Sequence, residues 1–241
     1  MTEHILFVFE GEKTESNILK NLVSYFLNED DRFIIKAAYK TDIYRLYQQF
    51  SEDDELDLFT ILKEKNEELK DFTSKMFSQI YLFFDYDGHI DRASNEKVNE
   101  LLKFFNEETD KGKLYISYPM VEAIKCFRSS DATADFKDFS YTIPNGTDFK
   151  HYVSQYVHPK CLHFHTYTLD DWNLMLSLNL KKYNWITVDQ YDLIFDELCQ
   201  IKLLEKQIEK FITPMKTVSV IASFPIMLIE FYGKSRFEGL L

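Results

Sequence analysis

Glycine and proline are scarce, with six and five among 241 residues. A chain so poor in turn formers argues against a turn-rich all-β fold and against disordered linkers. Cysteine is scarcer still: Cys126, Cys161 and Cys199 lie far apart and are odd in number. That usage fits a reducing compartment better than a disulfide scaffold. Basic charge is also short, with 28 Lys and Arg against 40 Asp and Glu, a net charge of −12 and a pI near 5.0. Proteins that coat nucleic acid draw affinity from counterion release and are usually basic, so a broad electrostatic grip is not expected. A local groove stays open, because a bound metal ion brings its own positive charge to a phosphate. Residues Met1 to Phe9 lack the basic start and long apolar stretch of a signal peptide, so the expected location is cytoplasmic. The most apolar stretch, Val218 to Ile229, contains Pro225 and runs into Glu230. It falls short of the roughly 20 residues needed to span a bilayer. A buried helix is the better reading, and no membrane partner is expected.

Hydrophobic residues make up 45% of the chain and aromatics 16%, enough for a sizeable core. His4 to Phe9 (HILFVF) is a continuous apolar run of the kind found in strands buried on both faces. Glu12 to Leu27 has helical spacing, Phe33 to Tyr39 reads as a second strand, and Thr41 to Lys70 is charged and helix-prone. Gln79 to Asp85 (QIYLFFD) is a third strand, again apolar and ending in an acid. Ser94 to Glu107 is an amphipathic helix with Val98, Leu101, Leu102 and Phe105 on one side. Leu114 to Ser117 is a fourth strand, followed by Pro119 near the start of another helix. Strands alternating with helices imply βαβ units and a mostly parallel sheet flanked by helices. Arg128 to Gly146 is polar and reads as a loop, and helices are predicted over Asp189 to Phe211 and Thr217 to Tyr232. The expected architecture is an α/β core over residues 1–127 and a mainly helical C-terminal region over 128–241, packed on that core.

In open parallel sheets, ligands gather at the carboxyl ends of the strands. The first strand delivers Glu10, then Gly11; the third delivers Asp85 and Asp87; the fourth leads to Glu122. Carboxylates converging on one edge repel each other, and a hard cation such as Mg²⁺ or Mn²⁺ relieves that repulsion. Phosphodiester cleavage uses such an arrangement to polarise the phosphate and activate water. Glu10 is the candidate general acid/base, and Lys13, near the amino end of the first helix, is a candidate phosphate holder.

A strand ending in Glu-Gly, followed later by a strand ending in Asp-x-Asp, resembles the Toprim fold of topoisomerases, bacterial primases and OLD-type nucleases. The elements are F-V-F-E-G at residues 7–11 and F-F-D-Y-D at 83–87. The string E-G-E-K-T-E, Glu10 to Glu15, is similar to the opening of RloB-like and AbiLii-type proteins, which are associated with bacterial phage defence. S-Y-P-M-V-E, Ser117 to Glu122, sits where that family has Ser-Asn-Pro followed by an acid, and Tyr118 replaces the Asn. The resemblance covers roughly residues 4–127 and implies a Toprim-like, metal-dependent nuclease acting on DNA or RNA. It further implies Glu10 as general acid/base, Asp85 and Asp87 as metal ligands, and Glu15 and Glu122 as additional ligands. A partner protein in a defence system is a further implication.

Each feature also has a plainer reading. Glu10, Asp85 and Asp87 are also compatible with ordinary polar strand ends. Glu12, Glu15 and Glu122 suit first helical turns, where acids favour the helix dipole without any function. Cys161, His163 and His165 would share a face if Cys161 to Thr168 were extended, with His158 nearby. Zinc is one reading of that face, and an isolated polar face is another. The Lys202, Lys206 and Lys210 series is either a solvated helix face or a nucleic-acid stripe. Asp85-Tyr86-Asp87-Gly88 also resembles the first motif of haloacid-dehalogenase-type phosphatases, in which the first Asp is a nucleophile and the second a general acid. There Ser117, Lys160 and Asp170-Asp171 would supply the later motifs, and His89 stands where Thr or Val is usual. A non-catalytic Toprim-like interaction or regulatory module is the third reading. An exposed aromatic helix over Thr217 to Tyr232 would serve a homo-oligomer.

Overall fold

An apolar run with no polar break pairs on both sides once it is extended, and the first such run does so here. β1 (Glu3–Phe9) pairs in parallel with β2 (Arg32–Ala38) on one side and with the later β3 (Gln79–Asp85) on the other. The structure is a computed structural model that describes residues 3–27, 32–52, 57–88, 93–109, 111–131, 135–143 and 149–237. His89, weighed above for the phosphatase motif, lies outside the described residues, as do parts of the 128–146 loop. Two compact units make up the chain, one of Met1–Asp85 and Arg92–Tyr115 and the other of Tyr86–Asp91 and Ile116–Leu241.

The first unit is α/β. After β1 come α1 (Thr14–Leu22) and, past β2, α2 (Ile43–Glu52) and α3 (Leu58–Lys65). β3 leads to α4 (Asn95–Phe104), then to a hairpin of β4 (Asn106–Glu107) and β5 (Gly112–Ser117). The strand order is β2-β1-β3-β5-β4, parallel across β2-β1-β3 and antiparallel only at β4-β5 among the pairs described. Ile5 through Phe9 are no more than 1% exposed. Each such side chain withdrawn from water contributes roughly 2 kcal/mol. Aromatics tie the strands on one face: Phe7 stacks on Phe83 at 6.0 Å, and Phe83 stacks on Tyr115 at 5.7 Å. α2 packs on α4, so these helices share one face of the sheet.

The second unit is mainly helical. It holds a short antiparallel pair, β6 (Ser140–Thr142) with β7 (Thr217–Ser219), and the helices α5 (Phe149–Tyr156), α6 (Leu169–Val188) and α7 (Gln200–Gln207). After α7 come a π turn, a single helical turn α8 (Thr213–Met215), then β7 and α9 (Ser223–Phe237), which packs on α6. No helix among the described residues is long and apolar enough to cross a membrane.

Four expectations are corrected, and the first is the loop over Arg128 to Gly146, which holds a 3₁₀ turn (Phe136–Asp138) and the strand β6. The helix predicted from Asp189 begins only at Gln200, because Asp189 adopts a left-handed φ of 61° that ends α6. Side chains of α6 then take up the free backbone: Asn184 donates to the carbonyls of Asp192 and Ile194, and Tyr183 bonds the Cys199 amide and carbonyl. The helix predicted from Thr217 starts as β7, whose Ser219 exchanges two backbone bonds with the Gln207 side chain. Its apolar stretch is not an exposed surface, since Phe224 and Ile226 through Ile229 are at most 4% exposed. The amphipathic helix predicted through Glu107 stops at Phe104, where the chain turns into β4.

Lys182 is fully buried in the second unit. Its Nζ donates to the carbonyls of Phe136 (2.7 Å) and Phe139 (2.6 Å) and lies 4.5 Å from the centre of the Phe136 ring. Burial pushes its pKa down to about 7, against the opposing pull of Cys126, Asp138 and Asp135. The unfolded chain, with an ordinary lysine near 10.5, therefore binds more protons than the folded one between those values. Wild-type stability should rise relative to Lys182→Met from pH 7 to pH 10, by at most about 1.4 kcal/mol per pH unit. Urea unfolding of both proteins across that range measures the difference. A constant gap would mean that the two carbonyls keep the ammonium charged throughout.

Candidate active site

Strand order fixes where a ligand is expected. From β1 the chain moves to β2 on one side, and the return strand β3 lies on the other, so the topological switch falls between β1 and β3. In open α/β sheets the crevice outside the carboxyl ends at that switch is the ligand site. Glu10 is the first residue after β1 and Asp85 is the last of β3.

The strand ladder continues past the end of β1. Glu10 N–H donates to the Phe83 carbonyl at 3.1 Å, and the Glu10 carbonyl accepts from the Lys40 amide at 3.0 Å. The Glu10 side chain then returns to the sheet, where its Oε2 accepts from the Asp85 amide at 3.1 Å. The structure thus brings Glu10 and Asp85 together, both half-buried. Gly11 begins the turn into α1, and its N–H donates to Glu15 Oε1 at 3.2 Å. A Cβ at position 11 would stand 3.2 Å from Glu15 Oε2, so a side chain there would push on the buried carboxylate. Glu15 therefore fastens the loop that carries Glu10. Lys13 is the N-cap residue of α1, exposed and making no side-chain cap bond. Glu12 is exposed and pairs with Lys40 at 2.8 Å, and the Lys40 ammonium holds its carboxyl below the usual range.

Asp87 and Glu122 belong to the second unit. Asp87 takes a left-handed φ of 45°, and its amide donates to the Pro119 carbonyl at 3.3 Å. Tyr86 N–H donates to the carbonyls of Ser117 and Pro119, both at 3.1 Å, and its ring packs on Tyr118 at 5.3 Å. A Cβ on Gly88 would stand 2.3 Å from the Tyr86 ring, so only glycine suits this turn. Tyr118 is thus a buried packing partner for Tyr86. Glu122, in the 3₁₀ helix Val121–Phe127, is 4% exposed and lies 3.7 Å from Lys150 Nζ.

Other expected groupings do not form. Cys161 to Thr168 is not extended: it folds into two 3₁₀ turns, with Cys161 buried and His163 and His165 exposed. The Tyr167 hydroxyl donates to the Cys161 carbonyl and holds this bend. In the lysine series, Lys206 pairs with Glu209 at 2.5 Å and Lys210 with Asp189 at 2.6 Å. Those pairs compensate Lys206 and Lys210, as the solvated-face reading expects. Among the described residues, no three His, Cys, Asp or Glu side chains form a metal-binding group.

Sequence reasoning missed Asn66. Its side chain accepts from the Ala38 amide at 2.9 Å and donates to the Ala38 carbonyl at 3.0 Å, closing the free edge of β2. No local signal marks it, because the pairing joins residues 28 apart. No family model, no curated protein and no solved structure matches the chain.

The Glu10–Asp85 bond separates two roles for Glu10. Glu10→Gln keeps an oxygen for the Asp85 amide and should melt close to wild type. Glu10→Ala leaves that amide unanswered and should lose about 1–3 kcal/mol in urea unfolding. Equal losses in the two variants would mean that the charge, not the acceptor, stabilises the strand end.

Proposed function

We propose that this chain is a divalent-metal-dependent nuclease of Toprim type that hydrolyses phosphodiester bonds in DNA or RNA. The observation that carries the reading is the bond from the Asp85 amide to Glu10 Oε2 at the β1–β3 switch. It fixes two carboxylate-bearing residues from adjacent parallel strands where ligands of such sheets collect. The RloB- and AbiLii-like motif string adds bacterial anti-phage defence as the biological setting, with a partner protein as a component of that system.

Mg²⁺ usually keeps several waters and is held by one or two carboxylates together with substrate phosphate oxygens. Glu10 and Asp85 fit that demand, and a three-residue protein cage is not required. Bound there, Mg²⁺ or Mn²⁺ would polarise the phosphate and acidify a water. Glu10, fixed by the Asp85 amide, is the acceptor for the proton that the attacking water gives up. Being held in place beforehand, it loses little freedom when the reaction occurs. Glu15 supports it through the Gly11 amide and is a positioning residue in this reading. Asp87, Glu122 and Lys13 enter on the sequence motifs. A second reading, a phosphatase that uses Asp85 as nucleophile, rests on the Asp85-Tyr86-Asp87-Gly88 sequence at the end of the apolar strand β3.

The test is cleavage of plasmid, single-stranded DNA and tRNA with Mg²⁺, Mn²⁺ or EDTA. Wild type should cleave at least one substrate only with metal, and Glu10→Gln and Asp85→Asn should each lose about 10²-fold or more in rate. Cleavage that survives Glu10→Gln overturns the assignment. Hydrolysis of phosphate monoesters that needs Asp85 but not Glu10 replaces it with the phosphatase reading.

A further inference from the structure

Within the first unit, a cleft of about 420 Å³ opens at the carboxyl end of β2. The start of α1, residues 36–40 and the turn after α3 form its walls. Lys36, Lys40 and Lys65 all line it, a concentration of cations in a chain of net charge −12. Three acids line it too, and two are engaged: Glu12 pairs with Lys40 at 2.8 Å and Glu67 with Lys70 at 2.7 Å. Glu68 is the third. Lys36 is exposed and has no ion-pair partner among the described residues. Lys65 is held in place, with Nζ donating to the Tyr39 carbonyl at 3.0 Å and sitting 4.1 Å from the centre of the Tyr39 ring. That bond uses one of its three N–H groups and leaves two for a ligand. Burial lowers the Lys65 pKa, Glu64 opposes this, and the positive charge of Lys40 lowers it further. An incoming anion relieves the repulsion between those two lysines.

The floor limits what the cleft can take. Asn66 occupies the free amide and carbonyl of Ala38 and also donates to the Leu62 carbonyl at 2.8 Å, so a peptide strand cannot add to β2 there. Cations from two of the walls, Lys36 and Lys40 on one and Lys65 on another, face the space, and Ser16 lines the α1 wall. Ammonium groups act as point charges and suit a tetrahedral, multiply charged oxyanion, whereas a planar carboxylate is better matched by the arginine fork. The Lys40 amide donates to the Glu10 carbonyl, which places the cleft one bonded step from the proposed reaction edge.

We propose that this cleft is a phosphoryl-binding subsite in which Lys36, Lys40 and Lys65 supply the positive charge and Ser16 a hydroxyl donor. The phosphoryl group comes either from a nucleic-acid strand or from a free nucleotide. The proposal stands apart from the metal chemistry, since it is tested by binding in EDTA.

The experiment measures two probes against the intact protein in EDTA: a labelled oligothymidylate by fluorescence anisotropy over a salt series, and AMP by titration calorimetry. The variants are Lys36→Glu and Lys40→Gln, both at exposed side chains, with melting midpoints recorded alongside. For a strand ligand, Lys36→Glu should weaken oligothymidylate binding about tenfold at low salt, and each lost contact should reduce the salt slope by about 0.7. For a free nucleotide, saturable AMP heat should appear in wild type and fall at least about tenfold in affinity in the variants, with no strand binding. Wild type that binds neither probe, or variants that melt and bind like wild type, would overturn the proposal. Wild type that cleaves no substrate with metal, yet keeps lysine-dependent binding in EDTA, would count against the metal reading alone.

Discussion

β1 is enclosed by β2 and β3 at its edges and buried on both faces, and this confinement sets the rest of the first unit. A strand so placed cannot hold a charged side chain along its length, because desolvating an unpaired carboxylate costs far more than one burial site returns. Between Glu3 at its start and Glu10, where the strand leaves the sheet, β1 therefore carries no acid. β3 is under the same constraint and ends the same way, as Asp85. The register opposite Phe9 is Phe83, so Glu10 stands across from Phe84 and Asp85 follows one residue later at the same edge. The aromatic layer of Phe7, Phe9, Tyr81 and Phe83 holds that register: a slip by one residue would turn every ring to the other face.

The emergence of two acids at one edge creates a second demand. The amide of Asp85 falls beyond the point where β1 can answer it with backbone, and the Glu10 carboxylate supplies the acceptor instead. Glu10 thus has a structural task, and that task makes it a rigid group. The same logic applies one step out, where Glu15 accepts from Gly11 and fastens the turn. Rigidity is what a metal ligand or proton acceptor needs, so the structural and chemical readings of Glu10 are not rivals. They differ in what a glutamine would preserve.

The strands β1, β2, β3 and β5 of the first unit were legible because continuous apolar runs of four to seven residues have few alternatives once they end in an acid or a turn. Glu10 and Asp85 were legible for the same reason, whereas the two polar residues of β4 read as the end of a helix. What escaped the sequence is what depends on distant partners. Asn66 closing Ala38, Asn184 holding Asp192 and Ile194, and Gln207 gripping Ser219 are each single polar side chains that answer free backbone groups. None has a periodicity. The segment from Asp189 to Cys199 has helical composition, yet the left-handed turn at Asp189 and the bonds from α6 decide its path. Cys161, His163 and His165 misled because their alternation has meaning only in an extended chain, and the chain there is coiled.

Net charge misleads in a related way. A charge of −12 is a sum over the whole surface, while a phosphate responds to charges within about a Debye length, roughly 10 Å at 0.1 M salt. Within that range the cleft beside β2 presents Lys36, Lys40 and Lys65, with two of its three acids, Glu12 and Glu67, already engaged by Lys40 and Lys70. Lys40 links the two features of the first unit. Its amide extends the ladder at Glu10, while its ammonium faces the cleft and restrains Glu12. Its left-handed backbone, with φ of 68°, turns the chain out of β2 at that position. An acidic chain can therefore carry a local group of cations beside an acidic edge, with most of the acids among them already paired.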